Sequence, residues 1–166
     1  MRASRTINSV RKGATIAAAT LLAAVPSVVH GKTTLQVGGT VVRGCSLGLQ
    51  PLMFGPVAFL FPDATAQSLV AVECTPGTTF TLAMDDGQNF NGQRRMIRTG
   101  PGFGAYLNYE IYSDAARTRR WGWTAAQTVT RTASGNGKIS LQAYGRATGF
   151  VAAGPFQDLV TVTITF

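Results

Sequence analysis

Past residue 34 the apolar side chains of this chain recur at every second position, stretch after stretch, and nowhere sustain a helical period. Leu35, Val37 and Val41 share one parity with Gly39, Arg43 and Cys45. Val70, Val72 and Cys74 alternate before Thr75-Pro76-Gly77, and Phe80, Leu82 and Met84 alternate after it. Leu107, Tyr109 and Ile111, then Ile139, Leu141 and Ala143, then Val160, Val162, Ile164 and Phe166 repeat the pattern. Successive side chains of a strand point to opposite faces, so this period buries one face and wets the other. Asp85-Asp86-Gly87, Ser113-Asp114-Ala115 and Gly135-Asn136-Gly137 supply turn chemistry between the runs. Six or seven short strands are expected, in an all-β antiparallel sandwich. The runs on either side of Thr75-Pro76-Gly77 are expected to pair as a hairpin, and the glycine-rich stretches 87–103 and 145–155 read as loops.

The first residues follow a different rule. Arg2, Arg5, Arg11 and Lys12 carry no acidic neighbour and precede the mostly apolar run from Ala14 to Val25, which is too short to span a bilayer. Residues 1–31 read as a secretory signal peptide, with small residues allowing cleavage after Gly31 or Ser27. The first site is favoured, so that Lys32 begins the mature chain. Its removal halves the formal charge of +8. The remaining clusters, Arg94, Arg95 and Arg98 and then Arg117, Arg119 and Arg120, read as solvated faces rather than a phosphate track, so no nucleic acid partner is expected. No second apolar run approaches the ~18 residues of a spanning helix, so no membrane span is expected in the mature chain.

Export to an oxidising compartment favours pairing of the two cysteines, Cys45 and Cys74. In the chain-entropy picture such a bond stabilises the fold by roughly 3–4 kcal/mol. The sole histidine, His30, falls inside the leader, which leaves a mature chain without imidazole for a triad, a Cys-His pair or a zinc site. Seven carboxylates remain, and Asp85-Asp86-Gly87 reads as a turn rather than half of a glycosidase pair. Gly102-Phe103-Gly104 lacks the strand-then-helix context of a dinucleotide site. Neither catalysis nor a cofactor or metal is expected.

Two segments are unusual for a self-contained sandwich. The last strand-like run continues to Phe166 without a polar tail, and the run that opens the mature chain contains Gly38-Gly39. A glycine pair weakens a strand unless another backbone or a tight groove approaches it.

Phe54-Gly55, Glu73-Cys74-Thr75-Pro76-Gly77-Thr78, Asp86-Gly87, Arg95-Met96, Tyr106 to Asp114, Trp121-Gly122, Tyr144-Gly145 and Ala153 to Phe166 form a series of local patterns. Together they resemble the spore coat protein U domain family, which includes subunits of archaic, Csu-type chaperone-usher pili. The likeness is collinear from about Leu35 to Phe166, and its closing run of aspartate, valines and aromatics is the most specific part. Trp123, where the family often has a short polar residue, and Pro155 depart from the pattern.

The resemblance implies an incomplete immunoglobulin-like sandwich, completed by donor-strand exchange: first a periplasmic chaperone, then the N-terminal extension of the next subunit, fills the missing strand. Residues 32–43 become the donor-strand extension and 44–166 the sandwich domain. Leu35, Val37, Gly39 and Val41 become the donor strand, and Val160, Val162, Ile164 and Phe166 the edge held by chaperone or donor. Seven residues from Leu35 to Val41 span about 23 Å when extended, at ~3.3 Å per residue. Burying three of those side chains stabilises the complex by roughly 5–9 kcal/mol. From alternation alone, the same segment reads equally as an ordinary first strand of its own domain. Implied partners are a chaperone, an outer-membrane usher and other subunits. The implied role is a secreted fibre subunit on the cell surface that supports adhesion or biofilm formation, with a spore or cyst coat protein, or a secreted carbohydrate-binding module, as the alternative. Trp121, Trp123, Tyr109 and Tyr112 read as core or interface aromatics.

Overall fold

The computed structural model describes residues 35–56, 63–100, 104–149 and 153–166. The expected leader, 1–31, and the start of the mature chain at Lys32 lie outside the described residues. The chain divides into a unit ending at Gly39 and a larger one from Thr40 to Phe166. In the first, residues 35–39 form no strand, and Leu35 and Val37 are exposed.

Nine strands and no helix occur among the described residues: β1 (Cys45–Leu49), β2 (Asp63–Cys74), β3 (Thr79–Met84), β4 (Arg95–Arg98), β5 (Tyr106–Tyr112), β6 (Val129–Thr132), β7 (Lys138–Thr148), β8 (Phe156–Gln157) and β9 (Val162–Thr165). All pairings are antiparallel. One sheet runs β1-β2-β7-β5-β4-β8 and the other β6-β3-β9. The period-2 pattern does what it must. Along β2 the inward positions Ala66, Ser68, Val70, Val72 and Cys74 are buried, and along β3 the inward positions Phe80, Leu82 and Met84 are buried. Leu107, Tyr109, Ile111, Trp121, Val129, Ala143 and Ala147 complete most of the shared core. The Trp121 indole N–H is not stranded there, because it donates to the Leu82 carbonyl at 3.2 Å.

Four expectations need correction. The runs flanking Thr75-Pro76-Gly77 do not pair: β2 lies between β1 and β7, and β3 between β6 and β9. The turn forms, with Gly77 at φ +84° and a bond from Thr78 N–H to the Thr75 carbonyl, but it carries the chain from one sheet to the other. A turn signal says that the chain reverses and leaves open whether it also changes layer. The supposed loops contain strand: β4 lies inside 87–103, and β7 runs to Thr148. Gly145 misled because it packs within that strand. A Cβ there would stand 2.8 Å from the Phe54 ring and 2.9 Å from Leu52, so the glycine lets segment 50–56 lie across the sheet. Residues 35–44 form no strand, so the alternation that begins at Leu35 becomes a strand only at Cys45. Finally, Arg94 is no solvated residue: it is fully buried.

Candidate functional site

One exposed edge of the larger unit follows its last strand. Strand β9 pairs with β3 on one side and has no partner on the other among the described residues. The orientation of its backbone follows from its neighbours. Asp85 N–H donates to the Thr161 carbonyl at 3.0 Å, whereas Met84 N–H turns the opposite way, to the Gly122 carbonyl at 3.1 Å. In an antiparallel ladder the two groups of one residue point to the same side and alternate along the strand. Thr161, Thr163 and Thr165 therefore bond toward β3, and Val162 and Ile164 direct their N–H and C=O to the open edge. The same two residues point their side chains inward, where they stay half-buried against the core. A row of unpaired backbone groups above an incompletely covered apolar strip is a template for another strand.

The opposite end of the other sheet is also thinly covered. Cys45 and Leu47 of edge strand β1 pack against the core yet remain half-buried. Cys45 is bonded to Cys74, which it faces in the β1–β2 register, as expected from the export leader. Two hydrogen bonds reinforce the same point: Thr75 N–H donates to the Gly44 carbonyl at 2.9 Å and Thr75 Oγ1 to the Val42 carbonyl at 3.2 Å. The chain is thus anchored from Val42 onward, while the side chains of Val41 and Val42 are exposed.

Polar side chains fasten the segment that leads into β9. The Asp85 carboxylate accepts from Gly87 N–H at 3.0 Å and Thr161 N–H at 2.9 Å. Its burial works against ionisation, but those bonds and the Arg94 charge outweigh it and hold the carboxyl below its ordinary range. Asp158 accepts from Asn89 Nδ2 at 2.8 Å and from the Tyr109 hydroxyl at 2.6 Å. Burial first, and then this carboxylate, push the Tyr109 phenol well above its usual range. Beside them lies an ionic knot. Arg94 bonds Glu110 and the carbonyls of Met84, Asp85 and Trp121. Arg120 bridges Glu110 and Asp86, which also accepts from the Trp123 indole at 3.0 Å. A buried guanidinium is tolerated because its donors are satisfied in this way.

Of the edge residues expected from sequence, Val162 and Ile164 lie in β9, Val160 lies two residues before it, and Phe166 follows it as an exposed side chain. Leu35, Val37 and Val41 of the expected donor segment are 87%, 86% and 86% exposed. Trp121 and Tyr109 belong to the core, and Trp123 is exposed. Sequence reasoning read Arg94 as one of a solvated arginine cluster and Asp158 only as part of the family-like closing run, because the partners of both lie far away in the chain.

The family description Spore Coat Protein U domain matches residues 32–163. No curated protein matches the chain. Among solved structures, one chain of the CsuC-CsuE chaperone–tip adhesion subunit pre-assembly complex, from archaic chaperone-usher Csu pili of Acinetobacter baumannii, superposes with a TM-score of 0.60. Identity is 21%, over 76% of this chain and 40% of that one, so the likeness reaches well under half of its length. The P pilus rod subunit PapA superposes with a TM-score of 0.52 at 17% identity, over 73% of this chain and 97% of that one. Both likenesses establish the pilin-type, immunoglobulin-like sandwich.

Proposed function

The chain belongs to the spore coat protein U domain family, and from that premise we propose that it is a secreted structural subunit of a bacterial surface pilus, assembled through the chaperone-usher pathway by donor-strand exchange. One observation carries the reading: β9 is an open edge above half-covered Val162 and Ile164, in a chain that also holds an exposed, alternating Leu35-to-Val41 segment in no strand of its own. A strand is missing and a strand is spare. Periplasmic chaperone, outer-membrane usher and further pilin subunits are the partners this assigns, and support of adhesion or biofilm formation is the role of the fibre. The solved pilus subunits of the same fold support it. Head-to-tail insertion is heterologous and need not close, so it builds a filament. The segment's three large apolar side chains, worth roughly 1.5–3 kcal/mol each when buried, make insertion comparable in strength to the folding of a small domain.

The test is to delete residues 32–42. The truncated chain is expected to fold, to bind its chaperone and to stop polymerising. Filaments of unchanged length from the truncated chain would overturn the donor assignment.

A further inference from the structure

The ladder between β3 and β9 begins at Val162, yet the expected edge begins two residues earlier, at Val160. Segment 158–161 belongs to no strand and is nevertheless fastened on the side of β3, to the residues that follow it. Gln88 N–H donates to the Leu159 carbonyl at 3.1 Å, and Thr161 exchanges bonds with both the backbone and the carboxylate of Asp85. Asp158 closes the start of the segment. Its Oδ1 accepts from Asn89 N–H at 3.2 Å and from Asn89 Nδ2 at 2.8 Å, and its Oδ2 accepts from the hydroxyl of buried Tyr109 at 2.6 Å. Space for that carboxylate exists because residue 87 is glycine. Its φ is +82°, and a Cβ there would collide with Asp158.

We infer that Asp158 is a positioning residue for strand exchange: by pinning 158–161 it turns the backbone groups of Val160 outward and so lengthens the acceptor edge by one binding position. The inference rests on the donor-strand reading given above. Leu159 and Thr161 bond toward residues 85–88, which continue from β3, so alternation leaves Val160 facing the open side in line with Val162 and Ile164. With Phe166, the edge then offers four alternate positions, matching Leu35, Val37, Gly39 and Val41. Without the pin, the bonds of Gln88 to Leu159 and of Asp85 to Thr161 alone hold the segment, and Val160 is presented less firmly than Val162 and Ile164. The chemistry requires a carboxylate. Three donors converge on Asp158: both Asn89 N–H groups meet Oδ1 and the Tyr109 hydroxyl meets Oδ2, so an amide in its place keeps an oxygen for Asn89 and turns its N–H2 to the hydroxyl, but loses the charge that strengthens all three bonds.

The test titrates the whole chain with a labelled synthetic peptide of residues 32–43 and with two shortened peptides, one cut at each end. Asp158→Asn is expected to weaken the full peptide about tenfold, the scale of one lost charge-assisted hydrogen bond. The shortened peptide that no longer reaches Val160 is expected to bind Asp158→Asn and the unaltered chain equally. Asn89→Ala, which removes one donor and leaves the core untouched, shows the same dependence on peptide length at smaller size and keeps the test available if Asp158→Asn does not fold. Equal weakening of both shortened peptides would mean general loosening and would overturn the inference, as would an unchanged affinity for the full peptide. If the unaltered chain takes up no peptide at all, the donor-strand reading itself fails, and this inference with it.

Discussion

Strands β3 and β9 are neighbours in one sheet and share one pattern, threonine outside and a large apolar residue inside, yet they end in different environments. Phe80, Leu82 and Met84 of β3 are 1%, 0% and 3% exposed, whereas Val162 and Ile164 of β9 stay half-buried and Phe166 is 54% exposed. Composition does not separate them. Strand β3 is flanked by β6 and β9, while among the described residues β9 is flanked by β3 alone. Burial in a sandwich is therefore a property of the neighbours a strand has, and β9, whose pattern calls for more burial than it receives, is where the proposed donor strand would act.

The contrast can be broken by substitution. Phe80→Ala empties a closed part of the core and is expected to destabilise the isolated chain by about 3–5 kcal/mol in denaturant titration. Loss of the Cys45–Cys74 bond by the paired serine substitutions is expected to cost about 2–4 kcal/mol, since it frees β1, the other thinly covered edge. Ile164→Ala, in the half-covered strand, is expected to cost only about 1 kcal/mol in the isolated chain and more once a donor peptide is bound, because its burial is completed from outside. Equal costs for Phe80→Ala and Ile164→Ala in the unbound chain would erase the distinction between the strands.

A smaller effect comes from the acids beside β9. Asp85 and Asp86 titrate below their ordinary range: for Asp86, burial opposes ionisation, but bonds from Arg120 and Trp123 and the positive charge nearby prevail. A carboxyl whose pKa is depressed by folding stabilises the fold above its unfolded value and loses that contribution as pH falls through the folded one. Melting temperature is thus expected to stay level from neutral pH downward and to decline below about pH 4. In Asp86→Asn that decline is expected to be shallower. A fall that begins near pH 6 would point to other groups.

The parts of the fold visible in the sequence were those written as alternation. The inward residues of β2, β3, β5 and the C-terminal strand follow directly from their parity, and the Cys45–Cys74 bond from the expectation that the chain is exported. What stayed hidden depends on partners distant in the chain. Thr75-Pro76-Gly77 announces a reversal identically whether the next strand pairs or crosses layers. Arg94 looks solvated until Glu110 and three carbonyls are brought around it. Gly145 looks like a loop residue until Phe54 is laid across it. At the candidate site the side-chain pattern of the edge was legible, but its outward-turned backbone required the register with β3.

Amide hydrogen exchange along β9 addresses the missing strand most directly. In the dilute chain the Thr163 and Thr165 amides, which bond toward β3, are expected to be protected and those of Val162 and Ile164 to exchange freely, becoming protected only when a peptide of residues 32–43 is added. Val162 and Ile164 amides that are already protected in a chain sedimenting as a monomer, and that do not respond to the peptide, would contradict the account.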